Sequence, residues 1–226
     1  MLERQGDSPE PPDYDAIEAR MWQKNVGRVL KELEADNPHM HKKINTFAVR
    51  FGYDKDDVVG EILSNEMSAA MFSKKPDRQG MHEEAAGKWL EQLDNVNNFL
   101  KLPKRGNSAC YITGDGEVRN VKRKPPGSSK SLDFCWETGV YTIFAAHKFT
   151  REGGGSQDNQ FLEVRNLLEL FQKGSASEQT VLLIIVDGPY FTETKMNDLH
   201  RFEREKPPFS KALSIGDVPA FLEGLP

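Results

Sequence analysis

The chain reads as a mixed α/β protein of the α+β kind, a mixed central sheet flanked by helices and preceded by an N-terminal helical region. Three observations predict this. Apolar residues recur at helical spacing through most of the first hundred residues, and from Ser108 the pattern shortens to β-type runs. Residues 181–186, VLLIIV, then form a near-continuous apolar run of the kind a strand covered on both faces requires.

In order, residues 1–13 form an acidic, Pro-rich tail without the basic start and apolar core of an export signal. Residues 14–36 carry Ile17, Met21, Trp22, Val26, Val29, Leu30 and Leu33 as a helical stripe that stops at Asn37-Pro38. Helices over 41–51 and 56–72 follow, then a polar loop over 73–80. A helix over 81–100 comes next, on the spacing of Ala85, Trp89, Leu93, Val96, Phe99 and Leu100. Short strands over 109–113 and 117–121 flank a Gly114-Asp115-Gly116 turn, and a Lys-, Pro- and Gly-rich loop spans 122–130. Strands over 131–137 and 140–150 meet at Thr138-Gly139. The glycine-rich stretch 151–159 leads into a helix over 160–173, and the buried strand 181–186, a helix over 192–204, a strand over 212–215 and a turn of helix over 218–222 close the chain. The expected organisation is a tail over 1–13, a helical region over 14–107 and a core over 108–226.

With 226 residues, 37% of them hydrophobic, the chain can bury a full core, which excludes disordered and fibrous classes. No window approaches 18 apolar residues, so the expectation is a soluble cytoplasmic protein with no membrane partner. Cys110 and Cys135 fit neither a disulfide framework nor a zinc site and are expected as two buried thiols. The net charge of −5 argues mildly against a nucleic-acid partner, but its distribution argues the other way. Lys101, Lys104, Arg105, Arg119, Lys122, Arg123, Lys124 and Lys130 face only Asp115 and Glu117 within one stretch, a plausible footprint for a phosphate backbone or, equally, a solvated loop.

Asp133 and Lys148 fall on the two strands of the expected hairpin, where an antiparallel fold-back brings them together. A carboxylate beside a lysine can hold a hard divalent cation and position water for phosphodiester hydrolysis; it can also be an ordinary cross-strand ion pair. His147 should face away from Ala146 and Lys148, as a packed or hydrogen-bonded side chain. His39 and His41 read as a loop pair, and His82-Glu83-Glu84 lacks the second histidine of a zinc protease helix. Asp187-Gly188-Pro189 reads as a turn after the buried strand.

The order of elements, with Ser131-Leu132-Asp133-Phe134, Ala146-His147-Lys148, the block GGGSQDNQ over 153–160 and VDGPYF over 186–191, resembles the PD-(D/E)xK nuclease fold, in particular type II restriction endonucleases. The resemblance covers about 109–216. It implies a restriction-endonuclease-like core and Mg2+-dependent cleavage of double-stranded DNA by a homodimer, with a companion DNA methyltransferase in the cell. It assigns Asp133 as a metal ligand and Lys148 as the catalytic lysine. The sequence departs from the pattern at Ala146, where the family usually has an acidic ligand. Glu163, on the following helix, is the candidate replacement for both catalysis and metal binding, with Asp158 or Glu137 as alternatives. Otherwise the chain is an inactivated or silent relative.

Lys122, Arg123, Lys124, Lys130, Arg151, Gln157, Asp158, Asn159 and Gln160 are the candidate DNA contacts, because Gln and Asn read adenine bidentately and three glycines allow close backbone approach. Asp158 or Asn159 could instead cap the helix that follows. Two further readings stay open: a catalytically silent DNA-binding module on the same fold, and a non-nuclease α/β interaction protein.

Overall fold

The computed structural model describes residues 9–76, 80–174 and 176–226, apart from the side chains of 156 and 157. The chain forms two compact units, one of residues 13–81 and one of residues 1–12 with 82–226. The division therefore falls at 81/82 rather than at 107/108.

The first unit is helical. Helix α1 (Tyr14–Glu34) is capped by the Asp13 carboxylate, which accepts from the Ala16 amide, and α2 (Pro38–Phe51) starts on Asn37 with proline in its first turn. The single helix expected over 56–72 is two, α3 (Lys55–Ser64) and α4 (Glu66–Phe72). Asn65 breaks it because its extended backbone and its side chain, which accepts from the Met67 amide, start a new helix. Val29, Leu33, Met40, Ile44, Ala48, Ile62, Ala69 and Phe72 form the core of this unit.

The second unit begins its regular structure with α5 (Met81–Leu90), which stops ten residues short of the expected helix. Residues Asn97–Lys101 are strand β1, paired antiparallel with β4 (Phe134–Thr138). Val96, Phe99 and Leu100 are spaced as a helix would space them, and a long-range strand partner overrides that local pattern. A two-stranded hairpin, β2 (Cys110–Ile112) and β3 (Val118–Asn120), forms a second sheet, bridged at Tyr111 to Ser131 ahead of β4. The sheet proceeds through β5 (Tyr141–Phe149), β6 (Thr180–Asp187) and β7 (Phe209–Leu213) in the order β1-β4-β5-β6-β7. Its β1-β4-β5 half is antiparallel and its β5-β6-β7 half parallel, which makes it a mixed sheet as expected.

Helices cover both faces. On one, Ala86, Trp89 and Leu90 of α5 and Val218 and Leu222 of α8 (Val218–Glu223) pack on Phe134, Trp136, Ile143, Leu183 and Ile185. On the other, Val164, Leu167, Leu168 and Phe171 of α6 (Gly155–Lys173) and Leu199 of α7 (Glu193–His200) pack on Ala146, Leu182, Ile184 and Val186. Strand β6 is buried along almost its whole length, as VLLIIV predicts.

Helix α6 begins at Gly155 with Gly154 as its cap residue, so Asp158 and Asn159 lie inside it rather than at its cap. The thiols are free, Cys110 buried and Cys135 half-buried. At the β2-β3 turn the backbone of Gly116 lies against that of Gly174 so closely that a Cβ on Gly116 would sit 2.3 Å from the Gly174 Cα. No helix among the described residues is long and apolar enough to cross a membrane.

Candidate active site

Asp133 immediately precedes β4 and extends its pairing by one residue. Its amide donates to the Ala145 carbonyl at 2.8 Å, and its own carbonyl accepts from the Leu102 amide at 2.8 Å. One step further along, the side chain takes over from the backbone: Asp133 Oδ2 accepts the His147 amide at 2.9 Å. The carboxylate is thereby held beside the end of β5, with only 6% of the residue exposed. Oδ1 has no protein hydrogen bond among the described residues.

Lys148 follows His147 and acts on Asp133 through its charge, with no direct ion pair between them. Burial pushes the Asp133 carboxyl above its ordinary range, and the nearby negative charge of Glu83 adds to that. The His147 amide and the Lys148 charge work against it.

Glu83 is the functional candidate that sequence reasoning missed. It stands in the first turn of α5, held by Lys104 at 2.9 Å and Lys101 at 3.2 Å. Burial pushes its carboxyl up, but the hydrogen bonds and charges of Lys104 and Lys101 outweigh this and hold it below the ordinary range. The Lys104 ammonium is raised in turn by its hydrogen bond to Glu83, with a smaller contribution from Asp133. Glu83, Lys104, Asp133 and Lys148 therefore form one electrostatic neighbourhood. The only local clue was an acid beside His82, and it carries no meaning until β1 and β4 pair.

A groove of about 510 Å³ opens next to this neighbourhood. Lys104, Arg105, Lys122, Arg123, Lys124 and Lys130 line it together with Tyr111 and Ser131, two residues before Asp133. Four of the expected DNA contacts thus converge on one surface. Arg119 is apart from them, paired with Glu117 at 2.6 Å on the hairpin.

The remaining candidates are placed as follows. Ala146 is 2% exposed, its methyl group within the apolar cluster under α6. Glu163 forms an ion pair with Lys130. Glu137 lies at the opposite end of β4 from Asp133, where it accepts from Asn98 at 2.6 Å. Asp158 accepts from the Tyr190 hydroxyl and lies 3.9 Å from Lys195, and Gln160 accepts from the Thr150 hydroxyl at 3.1 Å. Asn159 is exposed, and the Arg151 guanidinium lies 5.6 Å over the Phe149 ring. The Gln157 side chain lies outside the described residues. His147 is buried with its Nε2 3.2 Å from Asp187 Oδ2, while Asp187 Oδ1 accepts the Ile215 amide at 3.0 Å.

Mg2+ takes oxygen ligands and is commonly held by one or two carboxylates. The carboxylates of this neighbourhood are Asp133, whose Oδ2 accepts the His147 amide, and Glu83, which is paired with Lys101 and Lys104. Among the described residues no group of three or more His, Cys, Asp or Glu side chains comes together.

No family model matches the chain, and no curated protein matches it. Among solved structures, protein VC1899 from Vibrio cholerae is similar with a TM-score of 0.31 and 10% sequence identity. The match covers 95% of this chain and 56% of that one, so the chain spans little more than half that protein's length.

Proposed function

We propose that this protein is a Mg2+-dependent, sequence-specific endonuclease that hydrolyses phosphodiester bonds of double-stranded DNA, of the type II restriction class. The observation that carries this reading is that Lys104, which pairs with Glu83 and acts through its charge on Asp133, also lines a groove walled by six cations. Either half alone is ordinary. Together they offer a place for a phosphate backbone beside groups suited to breaking it.

In this reading Asp133 and Glu83 hold Mg2+, which supplies Lewis-acid polarisation of a phosphoryl oxygen when bound. Lys148 orients the attacking water and offsets charge that builds up on the phosphate, and the His147 amide fixes the Asp133 carboxylate. Uncatalysed phosphodiester hydrolysis is so slow that roughly 20 kcal/mol of transition-state stabilisation has to come from such groups. Glu163 remains the alternative second acid: a phosphate that draws Lys130 away releases its carboxylate. Arg151, Gln157 and Asn159 are proposed base or phosphate contacts. Such an enzyme works in the cytoplasm as a homodimer, alongside a methyltransferase that protects the cell's own sites.

The test is incubation of a long natural DNA with the purified protein and Mg2+, read as a band pattern. Discrete fragments support the proposal. Intact DNA rejects cleavage, and salt-titrated binding then separates the other two readings. A silent DNA-binding module is favoured by the buried methyl of Ala146 and by the two lysines on Glu83, and it retains salt-sensitive affinity. An α/β interaction protein has none.

A further inference from the structure

The helical unit carries a second groove, unrelated to the one above. It has a volume of about 420 Å³ and is lined by Phe47, Val58, Ile62 and Phe72, with Tyr53 and Met71 at its mouth. Phe47 is the hub of an aromatic cluster, with ring centroids 4.8 Å from Phe51, 6.1 Å from Tyr53 and 5.1 Å from Phe72. Around it Phe51 is 55% exposed, Tyr53 61%, Met67 79% and Met71 69%. Large apolar side chains left this open on adjoining helices mark a surface that associates.

The charges around the groove show what fits. On the α2 side, beyond the lining residues, stand two cations: Lys43, which donates to the Phe72 carbonyl and lies 5.9 Å over the Phe72 ring, and Arg50, 5.4 Å over Phe51. On the α3 side stand Asp57 and Glu61, which line the groove itself. Glu61 is held in place there, accepting from Asn65 at 3.0 Å and from Ser68 at 3.1 Å. A ligand of one charge sign is attracted by one edge and repelled by the other. An identical surface turned over about a two-fold axis parallel to the groove sets acids against cations along both edges and aromatic floor against aromatic floor. We propose that this face of α2–α4 is the docking site for a second copy of the chain, an interface that does not depend on the nuclease reading.

Sedimentation velocity on the full chain, at concentrations into the tens of micromolar, tests this. The wild type is expected to be dimeric. Met71→Glu places a charge on an already exposed side chain, so it folds, as circular dichroism will verify, and sediments as a monomer. Arg50→Glu and Asp57→Lys singly weaken the dimer by about tenfold or more in Kd, and the double swap restores it because each edge again meets its opposite. Leu162→Glu, at an exposed apolar residue on α6, leaves the dimer intact. A monomeric wild type overturns the proposal, as does a dimer that Met71→Glu does not dissociate or a double swap that does not recover association.

Discussion

The Asp133 carboxylate accepts the backbone amide of His147 at 2.9 Å, one residue before Lys148. One hydrogen bond thus sets the spacing between the two residues on which the proposed chemistry depends. The His147 ring is held from behind by Asp187, so the strand end that donates this amide is itself fixed.

Holding a carboxylate where burial disfavours its charge costs stability, and this cost is measurable. The Asp133 carboxyl is raised by burial, so the penalty is complete above its folded pKa and absent below its unfolded value. Asp133→Asn, whose amide oxygen still accepts from His147, should raise the metal-free Tm near neutral pH. The gain should vanish in acid, and cleavage should be lost throughout. Thermal unfolding in chelator across pH checks the first part; an unchanged or lower Tm at neutral pH removes the argument.

Glu83→Gln should lower Mg2+-dependent cleavage by about 10²-fold or more, and Lys148→Ala by a similar factor, the scale of losing a charge-stabilising or proton-handling group. Glu163→Gln should change it only a few-fold if its main partner stays Lys130. Rates on one cut site read all three, and a reversed order of the two glutamates makes Glu163 the second acid.

Lys122, Lys124 and Lys130 line the basic groove. Replacing each by Ala should weaken duplex binding and reduce the slope of log K against log salt by about one unit per lysine in contact with phosphate. Unchanged slopes across the series would falsify the groove as the DNA surface.

Ala146→Glu buries a carboxylate among Val164, Leu167 and Ile184. The variant should be destabilised by several kcal/mol in chelator, since an unpaired buried charge costs about that much. Mg2+ should recover part of the loss by raising Tm. A variant equally unstable with and without Mg2+ means that position does not face the proposed metal.

Gly116→Ala should destabilise the second unit by more than about 3 kcal/mol, the range of severe backbone clashes and strain. The residue has φ +79° and its new Cβ would lie 2.3 Å from Gly174 Cα and 2.6 Å from the Leu170 carbonyl oxygen. Denaturant unfolding gives the number.

Much of the fold was legible because local pattern and tertiary role agree. Thr138-Gly139 turns the β4-β5 hairpin, and VLLIIV is the interior strand β6. Residues 97–100 carry helical spacing because Phe99 and Leu100 extend the pattern of α5, while the strand partner that makes Asn97–Lys101 a strand lies more than thirty residues away. The same distance effect hid Glu83. An acid on a helix has no distinctive neighbours in sequence, and it gains significance only when Lys101, Lys104 and Asp133 are folded around it. That Asp133 and Lys148 come near each other is legible because the hairpin that joins their strands is local.

Strand β6 has a neighbour on each side and helices on both faces, so its amides exchange with solvent only when the whole sheet opens and should be among the slowest in the molecule. The same position makes it vulnerable during synthesis. It leaves the ribosome before β7, and until Phe209–Leu213 arrives one edge of its apolar run is uncovered. Lesions that delay β7 are therefore expected to reveal themselves as insoluble protein rather than as lost chemistry.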